Sequence, residues 1–255
     1  MRRREFLTGV GVAGIAGLKS AALAAEGSER EYFELRRYRL HGGAKKNMLG
    51  DFLRGVGIEA MNRVGIGPVG VFTPKYGPSE PTLYVLMVHK DLESVVTTAA
   101  RLLADDKFAK SDFVNASSGD VGYVRVESSL MAAFKGMPKL EVPAKRPRIF
   151  ELRIYESHSI KAGRKKVEMF NEGGEIAIFK KTGLNPVFFG ETIIGPMMPN
   201  LNYMLCFDDL ADRDKRWGVF GESDEWKKLR SDPQYEDTVS NITDIILQPT
   251  GYSQI

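Results

Sequence analysis

The chain says one thing twice: Phe33-Glu34-Leu35-Arg36-Arg37-Tyr38 returns 117 residues later as Phe150-Glu151-Leu152-Arg153-Ile154-Tyr155. A duplicated unit folds twice and then packs against its copy, so repetition constrains architecture before local propensity does. The series continues in order along the chain. Gly65-Ile66-Gly67-Pro68-Val69 is answered by Gly183-Leu184-Asn185-Pro186-Val187 at a spacing of 118. Leu83-Tyr84-Val85-Leu86 pairs with Asn202-Tyr203-Met204-Leu205 at 119 when the tyrosines are aligned. Asp106-Lys107-Phe108 matches Asp224-Glu225-Trp226, again at 118. The first copy spans residues 31–134 and the second 148–255, each long enough to own a core. Between them, residues 135–147 carry Pro138, Pro143 and Pro147 and no hydrophobic period, which reads as a linker.

The first residues read as an address. Arg2, Arg3 and Arg4 precede Glu5-Phe6-Leu7, a Gly/Ala-rich apolar stretch follows to Leu18, and Ala22-Leu23-Ala24 offers a small-x-small cleavage site. Residues 1–24 are thus expected to be a signal peptide of twin-arginine type, with export to the periplasm or beyond; a retained membrane anchor is the alternative. The apolar stretch is too short for an ordinary transmembrane helix. Removing it takes four basic and one acidic side chains from totals of 36 and 33, leaving 32 of each. The basic isoelectric point therefore belongs to the precursor, and nucleic acid is not an expected partner. The single cysteine, Cys206, excludes an intramolecular disulfide and reads as a buried thiol.

Within each copy the periodicities alternate. Residues Phe33–Leu40 and Phe150–Tyr155 have period two, a strand with one apolar face. Helical segments follow at 45–63 and 161–181, then strands at 69–73 and 187–193, third strands at 83–89 and 202–207, second helices at 92–103 and 211–220, and fourth strands at 121–128 and 242–247. The order βαββαβ is the ferredoxin-like unit, and the fold class is α+β. Such a sheet has helices on one face and leaves the other bare, so two tandem units can pack sheet to sheet as an α+β barrel.

The opening Phe-Glu-Leu-Arg-x-Tyr motif of each copy, the Gly-x-x-Pro-Val before strand two and the acidic-aromatic turns at Asp106/Phe108 and Asp224/Trp226 resemble the NIPSNAP family. The likeness covers nearly all of the chain after the leader. It implies a dimeric α+β barrel, a superfamily that holds small monooxygenases, haem-associated enzymes and many proteins with no assigned chemistry. His41-Gly42-Gly43 and His158-Ser159 stand where relatives often carry Pro-Gly or Lys-x-Gly.

Candidate site residues follow from the repeat. If Phe33, Leu35, Phe150 and Leu152 face the helices, then Glu34, Arg36, Tyr38, Glu151, Arg153 and Tyr155 face the barrel interior. There they would bind an anionic or hydroxylated small ligand, or neutralise one another at the seam. His41 and His158 share the 117 spacing and could sit at a cavity mouth as acid, base or haem ligand, or merely shape turns. His89 has no ligand-like spacing to them, so no metal site is expected. Tyr84 and Tyr203 are read as equivalent packing residues, and Trp217 and Trp226 as core.

Two Gly-x-Gly-x-x-Gly strings, at Gly9 and Gly65, lie in the leader and between helix and strand, so neither is a dinucleotide fingerprint. No cofactor is expected from a motif. The reading is an exported module that binds a small ligand or a protein partner, a second copy of the chain among them; the alternative is a cofactor-free monooxygenase or haem-associated oxidoreductase.

Overall fold

The computed structural model describes residues 30–76 and 81–255. The leader assigned to residues 1–24 lies outside the described residues. Eight strands close a barrel: β1 (Tyr32–Arg39), β2 (Val69–Tyr76), β3 (Thr82–His89), β4 (Arg125–Ala133), β5 (Ile149–Glu156), β6 (Asn185–Ile194), β7 (Asn200–Phe207) and β8 (Asn241–Pro249). Their order is β1-β3-β2-β8-β5-β7-β6-β4, and every neighbouring pair is antiparallel. Each repeat therefore contributes a four-strand sheet in ferredoxin-like order, and each fourth strand pairs with the other repeat's second strand. Closure leaves no free sheet edge.

Helices cover the outside of each half. In the first repeat a continuous helical run passes through Met48–Phe52, a π-turn at Leu53–Gly57, and Ile58–Arg63, with a second helix at Leu92–Leu103. In the second repeat the first run is broken into Ile160–Asn171 and Glu175–Lys181, because Gly174 adopts a φ of 86° that other residues rarely tolerate. The second helices start on matched aspartates. Asp91 accepts from the Ser94 backbone N–H and Asp209 from that of Asp212, satisfying donors that a first turn leaves open. Among the described residues no helix is long and apolar enough to cross a membrane.

The fourth strand of the first repeat begins at Arg125, later than its periodicity suggests. β1 ends at Arg39, which faces Arg125, so pairing starts only there; the strand then runs on to Ala133 to meet β6.

The orientation expected for the opening strands is reversed. Phe33, Leu35, Phe150 and Leu152 point into the barrel, where they join Phe72, Met131, Phe188 and Leu247. The Phe33 ring lies 5.0 Å from Phe188 and the Phe150 ring 5.0 Å from Phe72, so each repeat's first strand packs on the other's second. An eight-strand barrel has an interior just wide enough for side chains to fill. Every strand feeds that space and its central side chains are buried, so it takes the apolar positions. Glu34, Arg36, Tyr38, Glu151, Arg153 and Tyr155 consequently lie on the outer face, beneath the helices. Each fully buried phenylalanine contributes about 2–3 kcal/mol of transfer free energy, which makes the strand's burial preference decisive.

Candidate functional site

The reversal puts Arg36 and Tyr38 of the first repeat's Glu-Arg-Tyr triplet at the wall of a cavity between sheet and helices, with Glu34 bonded to Arg36. This hollow has a volume of about 380 Å³. Its walls come from β1 and β3 (Tyr38, Val85), the first helical run (Phe52, Leu53) and the segment after the second helix (Phe113, Tyr123). Phe52 stacks on Phe113 at 4.4 Å with the rings 11° apart, and the Tyr38 ring meets Tyr123 edge-on at 5.3 Å. The π-turn at Leu53–Gly57 carries Leu53 into the wall, and single π-turns inside helices often mark functional sites.

At one end sits a polar cluster. Arg36 Nε donates to Glu34 Oε1 at 2.6 Å, and Nη1 reaches the Tyr38 hydroxyl at 3.4 Å. The Ser128 hydroxyl donates to the same Glu34 oxygen at 2.8 Å, and His89 Nε2 stands 3.6 Å from Glu34 Oε2. His89 is fully buried, and its Nδ1 lies 3.1 Å from Ser94 Oγ, which in turn accepts from Arg101 at 2.9 Å. Burial pushes the Glu34 carboxyl up, but the His89 imidazole, the Arg36 charge and the Ser128 hydroxyl outweigh it and hold the group at about 2. Burial raises the Tyr38 phenol, despite the pull of Arg36 in the other direction.

The second repeat has the same triplet, but the space matching this hollow is filled by Phe170, Phe179 and Tyr203. Register fixes the correspondence: Arg36 faces Val85 in β3, and Arg153 faces Tyr203 in β7. Val85 is therefore the counterpart of Tyr203, while Tyr84 answers to Asn202 and points into the barrel core. The expected equivalence of Tyr84 and Tyr203 is corrected: the tyrosines sit one residue out of step, and one residue changes the face of a strand. Leu53 is replaced at 117 by Phe170, and Met61 at 118 by Phe179. The Tyr203 ring lies 5.4, 5.6 and 5.8 Å from Phe189, Phe170 and Phe179, and its hydroxyl bonds that of Tyr155 at 2.9 Å.

Around this aromatic block the charges are closed off. Glu151, fully buried, accepts from Arg213 at 2.5 Å and from the Trp217 indole at 2.6 Å. The Arg153 guanidinium lies 4.7 Å over Trp217 and 5.4 Å over Tyr155. Asp244, which faces Arg153 across the strands as Ser128 faces Arg36, is lifted to about 7 by burial and by the neighbouring Glu151 carboxylate. Lys166 pairs with Glu175 at 2.8 Å, both buried, with its ammonium 4.7 Å over Phe170.

His41 is half-buried and His158 exposed, and neither lines the first-repeat cavity. The placement of these two at a cavity mouth is not what the structure shows: β1 and β5 carry them past the sheet's end into solvent-facing turns. His89, Tyr123 and Val85 were missed. For Val85 a signal existed in the paired sequences, as the small partner of a large aromatic once the third strands are aligned by 118. Among the described residues no cluster of histidine, cysteine and carboxylate side chains could hold a metal ion.

The NIPSNAP sequence profile matches residues 33–134 and again 150–254, one match per repeat. The chain belongs to the NIPSNAP family. A single-repeat NIPSNAP family protein from Agrobacterium tumefaciens is 28% identical over 42% of this chain and 98% of its own, with a TM-score of 0.37. A Fusobacterium nucleatum protein provisionally described as a monooxygenase shares the two-repeat extent, covering 86% of this NIPSNAP chain and 92% of its own at 9% identity and a TM-score of 0.58. A Lactobacillus acidophilus protein of the same provisional description covers 87% and 94% at 10% identity and a TM-score of 0.55. At those identities the likeness speaks for fold alone. No functionally curated protein matches the chain.

Proposed function

We propose that the first repeat is a receptor for one small, largely apolar organic molecule and that the second repeat is its filled, structural counterpart. The supporting observation is the hollow of about 380 Å³ where the second repeat packs Phe170, Phe179 and Tyr203. That volume falls within the ordinary range of ligand pockets, and aromatic walls with one polar end are what such pockets use. The arginines of the leader, Arg3-Arg4 before Glu5-Phe6-Leu7, support an exported binder.

Binding is favoured over catalysis because Arg36, Tyr38 and Tyr123 are the polar side chains of the wall. Acid–base catalysis needs a group that titrates near the working pH and touches the substrate. Burial moves the Tyr38 phenol away from neutrality, and Glu34, held ionised, is already engaged by Arg36 and Ser128. His41 and His158, the residues that a haem-associated reading would call on, stand outside the wall, so they do not fit that group there.

The test transplants the second repeat's side chains into the first, as Leu53→Phe with Val85→Tyr. Calorimetric titration of the intact protein with benzyl, cinnamyl and naphthylmethyl alcohols should show one site per chain. The double variant should stay folded and lose affinity by about ten-fold or more, as expected for a filled pocket. Two sites per chain, or unchanged binding in the variant, would overturn the assignment.

A further inference from the structure

We infer that the molecule held by the first repeat carries a carboxylate, which docks on the outward end of Arg36. This inference rests on the cavity being a binding site and adds the charge of its occupant. The argument comes from what surrounds the two equivalent arginines.

In the second repeat Arg153 is enclosed by aromatic rings and carboxylates, although its buried Nε makes no hydrogen bond. Trp217 covers one face of its guanidinium at 4.7 Å, the Tyr155 ring lies at 5.4 Å, and Glu151 and Asp244 share it with Arg213. In the first repeat Glu34 and Tyr38 remain, but the counterparts of Trp217, Arg213 and Asp244 are different residues. The helix position of Trp217, counted back by 118 from matched caps at Asp209 and Asp91, holds Ala99, and that of Arg213 holds Val95. The strand position of Asp244 holds Ser128, a neutral donor.

What remains is one carboxylate for Arg36, and that carboxylate is divided. Glu34 Oε1 is taken by Arg36 Nε and by Ser128, while Oε2 looks toward His89. Arg36 Nη1 makes only a long contact to Tyr38 at 3.4 Å, and among the described residues Nη2 donates to nothing. The guanidinium lines the cavity with its side chain about one-third exposed, its Nη edge being the part free of Glu34. A planar fork with two unused donors at the end of an aromatic pocket matches a carboxylate in shape and charge. Tyr38, whose phenol stays protonated, supplies a further donor beside it.

A neutral hydroxyl could accept one of these bonds but would leave the positive edge desolvated against aromatic walls. A carboxylate satisfies both donors at once. A second cation is disfavoured by the same Arg36 charge.

The experiment compares matched pairs of probes on the intact protein: benzoate with benzamide, cinnamate with cinnamamide, naphthoate with naphthamide, each titrated by calorimetry at pH 7. The expected result is a preference of about ten-fold or more for each acid that fits, since bonds to charged groups are worth more than neutral ones. Arg36→Gln should erase that preference while leaving the amides bound. Should the Gln variant fold poorly, the ratio of acid to amide in the unmodified protein and its decline with salt decide the matter. Amides binding as tightly as their acids would overturn the carboxylate and leave the receptor standing. If neither series binds, or Leu53→Phe with Val85→Tyr binds both as well as before, the receptor itself falls.

Discussion

The two repeats place the same Glu-Arg-Tyr triplet on the same strand and then surround it in opposite ways. In the first, Leu49, Leu53, Met61 and Val85 line a hollow; in the second, Lys166, Phe170, Phe179 and Tyr203 occupy the matching positions. Interiors are normally packed to the density of organic crystals, and an apolar void forfeits contacts on every side. Duplication divides those demands. One copy can keep a space because the barrel it shares is sealed by the other, through the pairs β2–β8 and β4–β6. The difference teaches that the triplet is the two repeats' common frame, whereas the helix-side residues above it decide whether that frame holds a guest.

The sharpest way to strain this contrast is to disturb the internal guest of the second repeat, the Lys166 ammonium. Its side chain and that of Glu175 are 6% and 3% exposed. Glu175→Gln leaves a buried charge without its counterion, and the expected loss is about 4 kcal/mol in urea unfolding. Lys166→Met together with Glu175→Leu should restore most of that loss, because well-packed apolar pairs replace buried ion pairs at little cost. If the single variant loses less than about 1 kcal/mol, the second repeat is not the tightly filled half described here.

Acidity separates the repeats next. Glu34, held near 2 in the fold against its ordinary 4.5, gives stability that is fully present above 4.5 and lost as pH falls toward 2. Its size is about 3 kcal/mol, by the free-energy equivalent of the shift. Asp244 works the other way. Lifted from 3.8 to about 7, it holds in the fold a proton that the unfolded chain releases, so stability falls as pH rises between those values and is flat above. Thermal melting across pH 2–8 should therefore peak near pH 4–5. Glu34→Gln should flatten the acid limb and Asp244→Asn the neutral one; limbs assigned to the wrong residue would break the comparison.

Much of the fold was legible in the chain because a repeat declares its own boundaries, and caps such as Asp91 and Asp209 recur with it. The facing of the first strand was not. Phe150-Glu151-Leu152-Arg153 states which residues share a side, but not which side is the interior. That depended on barrel closure, a long-range property in which eight strands exclude water from one space. Once that face is known, Arg36 and Tyr38 move from the seam to the cavity wall, with Glu34 bonded to Arg36 on the same side of the sheet. Tyr84 was misread for a related reason, since matching identical letters overrode the register by one residue. His89 stayed hidden because its partners, Glu34 and Ser94, come from different elements.

The cavity's outer wall offers a finer probe. A Cβ built on Gly122 would stand 2.4 Å from Phe113 Cε2, closer than side-chain atoms come. Gly122→Ala must displace that ring, which stacks on Phe52 at 4.4 Å. Overpacking of this kind costs about 1–3 kcal/mol. The expected outcome is a lower melting temperature and a several-fold weaker affinity for the cinnamyl probe. An exposed glycine inside the second repeat's helix Leu210–Glu222, Gly218, meets nothing within 4 Å; Gly218→Ala should leave probe affinity unchanged and raise stability by about 0.5–1 kcal/mol.

The smallest effects are expected at His41 and His158. They share the repeat spacing and so invite a symmetrical role, yet one is half-buried in a turn, the other exposed, and neither borders the cavity. Surface substitutions away from special features stay within about 0.5 kcal/mol, which sets the expected stability change for His41→Ala and His158→Ala. Probe affinity should likewise stay within about two-fold of the unmodified protein, a change smaller than that energy scale. The pair also separates two kinds of symmetry. If the spacing marked a functional duplication, both variants would impair binding together; if only the first repeat is hollow, neither does. A loss of about ten-fold from His41→Ala alone would place the ligand at the end of β1 rather than beneath the helices, and the contrast between the hollow and filled halves would have to be drawn around a different site.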